Sequence, residues 1–336
     1  MTELLSKRRE PSDVFVYARE SIPREYIEKL NGLGVRVAVE PWAHGEEEPI
    51  PSVDLTSCDV LLTMGWLDRL DILTRAPNVR WIHSISVGVD AFSIPERLLP
   101  GLTVTNSKGC TSVPIAEHAL ALILALARGV PSIVERQAGR QWGGRSFATK
   151  ELYGSTVGII GYGEIGAEIG RRCKGLGMRV LGCRKHPGKS RHPSEIADLV
   201  VDFARADEVI AQSDVLVLSL PSTEETIGFM NKRRLQAMKK DSFLVNVGRG
   251  SAIVEKDLAE CLQRGMMAGA ALDVFEQEPL PADHPLWDCP NVLISPHVAY
   301  DSPKNIDRCM ELFLHNLTCY LRGEPLKNVV DMNAGY

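Results

Sequence analysis

None of the eight cysteines in this 336-residue chain stands in a C-x-x-C pair or beside a matching histidine spacing. That absence speaks against a zinc site and a thioredoxin-type motif, and leaves reduced, packed thiols as the expectation. No H-E-x-x-H or comparable ligand spacing occurs, so no metal is expected. A basic excess is missing as well: 38 Lys and Arg stand against 43 Asp and Glu, a formal charge of -5, which argues against a nucleic-acid surface. Long apolar runs are also lacking. The longest, Ala119 to Ala127, falls well short of the ~20 residues needed to cross a bilayer, so no membrane partner is expected. Met1 to Pro11 is rich in charge and lacks the order of a signal peptide, which makes the cytoplasm the expected location. Neither a low-complexity segment nor an internal repeat is evident.

What is present is a globular composition, 44% hydrophobic and 24% charged, at a length that favours two domains over one. Short β-rich runs alternate with helical patterns throughout, which predicts an α/β protein with parallel sheets. In the first third, strands are predicted at 14–17, 35–39, 60–63, 81–85 and 102–105, with a helix such as 23–30 between them. A long helix follows from Ser112, read as its N-cap, to about Arg128, with Pro114 tolerated in the first turn. After a polar stretch, 137–146, a second series of strands is predicted at 156–160, 179–183, 215–220, 243–246, 268–272 and 292–294. A last helix, 302–321, is expected to pack back on one of the two units. Trp66 reads as a core residue more than as part of a pocket.

The turn Gly161-Tyr162-Gly163-Glu164-Ile165-Gly166 follows an apolar strand and opens a helical pattern, the context that a dinucleotide fingerprint requires. The first glycine turns the chain, the second admits the pyrophosphate, and the third lets helix and strand pack closely. The alternative is a strand-to-helix turn that needs glycine only for its dihedrals. An NAD site usually places Asp or Glu about 20 residues further on, at the end of the next strand. Here that strand runs into Cys183-Arg184-Lys185, and Arg184, Lys185, His186, Lys189 and Arg191 form a basic cluster. The cluster suits a 2′-phosphate, so NADP(H) is the preferred cofactor with NAD(H) also accepted; a solvated basic loop is the competing reading.

Three further segments each follow a predicted strand: Asn246-Val247-Gly248-Arg249-Gly250, Asp273-Val274-Phe275-Glu276-Gln277-Glu278-Pro279 and Ser295-Pro296-His297-Val298-Ala299. Together with the glycine turn, they resemble the D-isomer-specific 2-hydroxyacid dehydrogenase family, in order and over nearly the whole chain, from Ser86-Val87-Gly88-Val89-Asp90 to Gly323-Glu324-Pro325. The resemblance implies two doubly wound domains. Residues 1–107 plus 297–336 would form a flavodoxin-like substrate domain, and 108–296 a Rossmann dinucleotide-binding domain. It implies that Arg249 binds the substrate's carboxylate and carbonyl oxygen, that His297 is the acid-base residue, and that Glu278 pairs with His297. Reduction of a 2-oxo acid needs a hydride at C2 and a proton at the carbonyl oxygen, and an imidazole beside a carboxylate is suited to deliver the proton. Arg249 offers a planar, permanently charged fork.

By the same resemblance the backbone at Val87 and Gly88 would bind the substrate carboxylate. Leu220, Pro221, Thr226, Val247, Gly248, Asp273 and Ala299 would join Arg249, His297 and the glycine turn at the cofactor. Ser86, Ser219 and Tyr300 depart from the family's commoner Gly, His and Gly. His118 and His284 are assigned no catalytic role. The expected activity is NAD(P)H-dependent reduction of a small 2-oxo acid, of glyoxylate or hydroxypyruvate type, by a homodimer. The 137–146 segment with Trp142 would reach toward the second subunit. Alternatives are a dinucleotide-sensing corepressor, a phosphite dehydrogenase or a phosphoglycerate dehydrogenase. A chain that stops at Tyr336, soon after its last helix, favours a metabolic enzyme over a corepressor.

Overall fold

Most strands read as short unbroken apolar runs because they are buried on both faces, as parallel strands covered by helices must be. The computed structural model describes residues 8–41, 50–64, 66–67, 71–89, 91–92, 101–142, 149–187 and 196–332. Two units result: Met1–Cys110 with Pro303–Tyr336, and Thr111–Ser302. The first contains β1 (Phe15–Ala18), α1 (Arg24–Gly32), β2 (Arg36–Val39), β3 (Val60–Thr63), β4 (Trp66–Leu67), α2 (Asp71–Arg75), β5 (Trp81–Ser84), β6 (Ala91–Phe92) and β7 (Thr103–Asn106). Five of these form a parallel sheet in the order β2-β1-β3-β5-β7, the flavodoxin-like arrangement, while β4 and β6 pair separately. Side chains alternate across the sheet: Val16 and Ala18 enter one core, Phe15 and Tyr17 the other. The C-terminal helix Asn305–Arg322 supplies Phe313, Leu317 and Tyr320 to the first of these cores, where Phe313 stacks on Trp81. Beyond it the chain returns to the sheet edge, where Thr105 bridges Val329 and Val330 N–H donates to Val104.

The second unit holds α3 (Ser112–Ala127), α4 (Val130–Ala138), β8 (Thr156–Ile160), α5 (Glu164–Gly175), β9 (Arg179–Cys183), β10 (Leu199–Val201), α6 (Ala206–Gln212), β11 (Val215–Leu218), α7 (Lys232–Gln236), β12 (Phe243–Asn246), α8 (Glu255–Gln263), β13 (Gly269–Leu272) and β14 (Val292–Ile294). All seven strands are parallel in the order β10-β9-β8-β11-β12-β13-β14. The order reverses between β8 and β11, and ligands of such sheets bind beyond the strand ends at that point. Two cores flank the sheet, one lined by α3 and the other by α6 and α8.

Some expectations need correction. Ser112 does not cap α3: it lies in the first turn after Thr111, and neither hydroxyl finds a hydrogen-bond partner among the described residues. The long helix ends at Ala127 with Arg128 as its C-cap, as expected, but Gly129 then turns left-handed with φ 64° and α4, unforeseen, begins immediately. The strand predicted to Leu220 ends at Leu218, where Ser219 turns its hydroxyl to the Gly161 carbonyl. The last helix starts at Asn305 rather than Ser302. Lys189, Arg191, Asp90, residues 143–146 and the Trp66 side chain lie outside the described residues. Among those described, no single helix is long and apolar enough to cross a membrane, and no group of metal-ligating side chains occurs.

Candidate active site

The chain leaves β8 at Gly161, whose φ of 96° is open to glycine at little cost. Gly161 and Tyr162 both donate their N–H to the Cys183 carbonyl at the end of β9, 2.9 Å each, which fixes the turn. A Cβ on Gly161 would lie 2.5 Å from the Ser219 carbonyl oxygen. Gly163 differs: it is exposed, and beyond its chain neighbours a Cβ there would meet no atom of the described residues nearer than 4.0 Å. Beside that free space α5 begins at Glu164, and the N–H groups of Ile165 and Gly166 fall in a first turn where no preceding helical carbonyl can reach them. An open helix N-terminus with room above a glycine fits a dinucleotide pyrophosphate. Gly166 brings the helix down onto the Gly161 carbonyl, 2.8 Å from where its Cβ would stand. Tyr162 contributes backbone alone, since its ring is buried against Gly182 and Gly170. Its hydroxyl has no partner among the described residues, and burial raises its pKa.

Among the described residues that follow β9 directly, Arg184 to Pro187, no carboxylate appears. Arg184 turns its guanidinium to the His186 carbonyl, 2.8 and 3.0 Å, and Lys185 pairs with Glu225 at 2.8 Å. The basic cluster therefore has an acid partner from a distant loop that local sequence did not reveal. Thr226 orders that loop by donating its hydroxyl to the Pro221 carbonyl at 2.7 Å and accepting the Thr223 N–H at 2.8 Å. Leu220 is buried, with its backbone against Gly248 of the next segment.

After β12, Asn246 staples its own loop. Its Oδ1 accepts the Gly248 N–H at 3.1 Å, and its Nδ2 donates to the Arg249 carbonyl at 2.9 Å. The two glycines around Arg249 are there for space: a Cβ at 248 would stand 2.7 Å from the Leu220 nitrogen, and one at 250 would overlap the Phe275 backbone at 1.9 Å. Val247 is buried, and half-buried Arg249 donates from Nη1 to the Gly248 carbonyl at 3.0 Å. Backbone contact thus links the Gly161, Leu220, Gly248 and Phe275 loops in one series along the strand ends.

Glu278 and His297 meet at the end of it. The His297 Nδ1 lies 2.6 Å from Glu278 Oε2, and Glu278 Oε1 accepts the Phe275 N–H at 2.9 Å. Burial raises the Glu278 pKa, yet the His297 hydrogen bond and the Phe275 N–H outweigh it and hold the carboxyl below its ordinary value. The carboxylate therefore accepts at Nδ1, and His297 Nε2 has no partner among the described residues. His297 has φ 53°, a left-handed backbone that costs a non-glycine residue energy and must be held by its surroundings. Asp273 is what holds it. Almost fully buried, its carboxylate accepts from Ser295 Oγ at 2.6 Å and from the N–H groups of Val298 and Ala299 at 3.0 Å each. Those donors and His118 overcome burial and keep its pKa low.

The sequence reading missed three supports. His118 on α3 places Nε2 2.9 Å from Ser295 Oγ and 3.4 Å from Asp273. Buried Glu255 accepts the Glu276 N–H at 2.7 Å and pairs with His284 at 3.1 Å, steadying the loop that carries Glu278. Ser219, noted only as a departure, donates to the Gly161 carbonyl at 2.9 Å. The available signal was weak: a polar side chain in an apolar stretch for His118 and Ser219, and none for Glu255, which sits among charged residues.

Val87 and Gly88 lie in the other unit, after β5. The Val87 carbonyl accepts from Asn106 Nδ2 and the Gly88 carbonyl from Ser86 Oγ, both at 2.7 Å. The N–H groups of both have no partner among the described residues, and Ser86, in place of glycine, orders the turn through its hydroxyl.

Residues 120–299 match the family model described as D-isomer specific 2-hydroxyacid dehydrogenase, NAD binding domain. A glyoxylate reductase of Pyrococcus furiosus is 34% identical over 322 residues, 92% of this chain and 93% of that protein. A D-3-phosphoglycerate dehydrogenase of Archaeoglobus fulgidus is 33% identical over 94% of this chain and 59% of its own length. Among solved structures, an NADPH-dependent glyoxylate/hydroxypyruvate reductase from Sinorhizobium meliloti, in complex with NADP and sulfate, is similar with a TM-score of 0.79. It is 29% identical and covers 96% of this chain and 100% of its own. A glycine turn at the switch point of a Rossmann sheet, four linked strand-end loops and these relatives agree: the chain belongs to the D-isomer-specific 2-hydroxyacid dehydrogenase family and is an NAD(P)-dependent oxidoreductase.

Proposed function

We propose that the protein reduces a small 2-oxo acid of glyoxylate or hydroxypyruvate type to the D-2-hydroxy acid, preferring NADPH and accepting NADH. The observation that carries this reading is the Glu278–His297 pair, with Nδ1 held by a carboxylate at 2.6 Å and Nε2 left to meet a substrate oxygen. Bound nicotinamide supplies the hydride that reaches C2. His297 gives its Nε2 proton to the carbonyl oxygen as negative charge develops there, and Glu278 stabilises the imidazolium before transfer. Arg249 would hold the carboxylate and carbonyl oxygen through its guanidinium, and Val87 and Gly88 are proposed, by the family resemblance, to offer backbone N–H groups to a substrate carboxylate.

Gly161, Tyr162, Gly163, Glu164, Ile165 and Gly166 would cradle the pyrophosphate. Leu220, Pro221, Thr226, Val247, Gly248 and Ala299 would line the dinucleotide, and Asp273 would act there chiefly by ordering residues 295–299. Arg184 and Lys185 would hold the 2′-phosphate, for which both must turn from His186 and Glu225. Relatives named as glyoxylate reductases and a relative that binds NADP support the substrate class and the cofactor.

Residues 1–107 and 297–336 are proposed as the substrate domain and 108–296 as the cofactor domain. A homodimer is proposed through α4, whose Val130, Ile133 and Val134 are exposed on one face, with Trp142 fully exposed nearby in sequence. Eight free thiols suit a reducing compartment, and the cytoplasm is the proposed location. The deciding experiment is a kinetic matrix of NADPH and NADH against glyoxylate, hydroxypyruvate, pyruvate and bulkier 2-oxo acids, with phosphite and 3-phosphoglycerate in the oxidative direction. The reading predicts the highest kcat/KM for glyoxylate or hydroxypyruvate with NADPH. Binding of NADPH without turnover of any member would overturn it.

A further inference from the structure

His118 stands on α3, a helix otherwise largely given to the core, yet its imidazole is turned to the loop that carries His297. Its Nε2 lies 2.9 Å from Ser295 Oγ and 3.4 Å from Asp273 Oδ1. Proton counting fixes the donor. Ser295 has one hydroxyl proton and gives it to Asp273 Oδ1 at 2.6 Å, while Asp273, held ionised by its donors, has none to give. Nε2 of His118 must therefore carry a proton and donate it to Ser295 Oγ. Asp273 in turn accepts the N–H groups of Val298 and Ala299, the two residues that follow His297. Ser295, two residues before His297, also accepts the His297 N–H on its carbonyl at 3.0 Å.

We propose that His118 is a positioning residue for His297: through Ser295 and Asp273 it clamps the loop on both sides of the left-handed residue whose ring must meet the substrate. Without it, Ser295 Oγ loses its donor and Asp273, almost fully buried, loses part of its coordination. The loop is then free to relieve the strain at φ 53°, and the ring leaves its place beside Glu278. A misplacement of about 1 Å at a proton donor can cost about a hundredfold in rate.

This inference rests on the reading of His297 as proton donor. Its test uses full-length His118→Ala, His118→Gln, Ser295→Ala and His297→Ala enzymes with NADPH and glyoxylate. His118→Ala is expected to lower kcat about tenfold to hundredfold with both KM values within about twofold of wild type. His118→Gln restores an N–H donor and is expected to recover most of that kcat. A His118→Ala kcat within about twofold of wild type, or equal losses in the Ala and Gln variants, overturns the proposal. Should His118→Ala not fold, Ser295→Ala, which cuts the same link by removing one oxygen, is judged by the same kcat and KM criterion. Full activity in His297→Ala would instead overturn the underlying reading of His297, whatever the His118 variants show.

Discussion

The Glu278 side chain is 35% exposed, and what burial it has would alone raise its pKa; the hydrogen bonds from His297 and the Phe275 N–H reverse the sign. A carboxyl depressed on folding contributes stability that is fully present above its unfolded pKa, about 4.3, and lost as pH falls through the lower folded value. Glu278 therefore stays ionised between about pH 5 and 9, where any limb in the rate profile belongs to another group. Glu278→Gln keeps the shape and an acceptor for Nδ1 but removes the charge that stabilises an imidazolium. It is expected to lower kcat/KM with glyoxylate about tenfold to a hundredfold, near the lower end of what acid–base catalysis contributes. Its acid denaturation should also lack a component, below about pH 4, that wild type shows. Equal kcat/KM in the two proteins would refute the role of the charge. The Glu278–His297 pairing was legible because each residue sits in a short motif after a strand, as does Arg249. His118 was not, because Asp273 and Ser295, its partners, are more than 150 residues away and only the packing of α3 beside β13 brings them to it.

Loops at strand ends form the next scale, and the glycine turn shows how one element divides its duties. Gly161 serves the fold: its left-handed φ and the Ser219 carbonyl 2.5 Å from any Cβ leave no room for alanine. Gly163 is proposed to serve the ligand, since beyond its chain neighbours none of the described residues comes within 4 Å of its Cβ position apart from the Gly161 oxygen at that limit. Gly161→Ala is therefore expected to cost about 1–3 kcal/mol of stability, read as a lower denaturant midpoint. Gly163→Ala should leave the midpoint unchanged and raise the Kd for NADPH at least tenfold. The opposite assignment of the two effects would contradict this division. Most strands were legible because doubly buried strands are continuous apolar runs, whereas the edge strand β10, only partly buried and three residues long, and the two-residue β4 and β6 were missed. Helix α4 was not legible, because Gly129 and Pro131 interrupt the helical pattern: the left-handed glycine ends one helix and Pro131 sits in the first turn of the next. Ser219 and Leu220 read as strand because their apolar neighbours continue the pattern, although the contact with Gly161 has already turned the chain.

At the scale of the whole chain, the two units differ in what they need from it. Thr111–Ser302 is continuous and carries its seven-stranded sheet and both flanking cores within itself. The other unit depends on the far end of the chain, because Phe313, Leu317 and Tyr320 of the C-terminal helix share one core with Val16, Leu62 and Trp81. Each such side chain stabilises by about 1.5–3 kcal/mol when fully buried, so losing three of them removes an amount comparable with the whole stability of a domain. A chain ending at Ser302 is thus expected to leave the first unit unfolded and the second intact. Limited proteolysis should digest residues 1–110 and leave a fragment near 111–302. That fragment should still bind NADPH, seen as an enhancement of nicotinamide fluorescence, and gain about 2.7 kcal/mol of stability at a hundredfold excess of NADPH over its Kd. It is expected to turn over no 2-oxo acid, because the proposed carboxylate contacts of Val87 and Gly88 are gone. Cooperative loss of both units on truncation, or loss of NADPH binding by the surviving fragment, would show that the second unit is not self-sufficient.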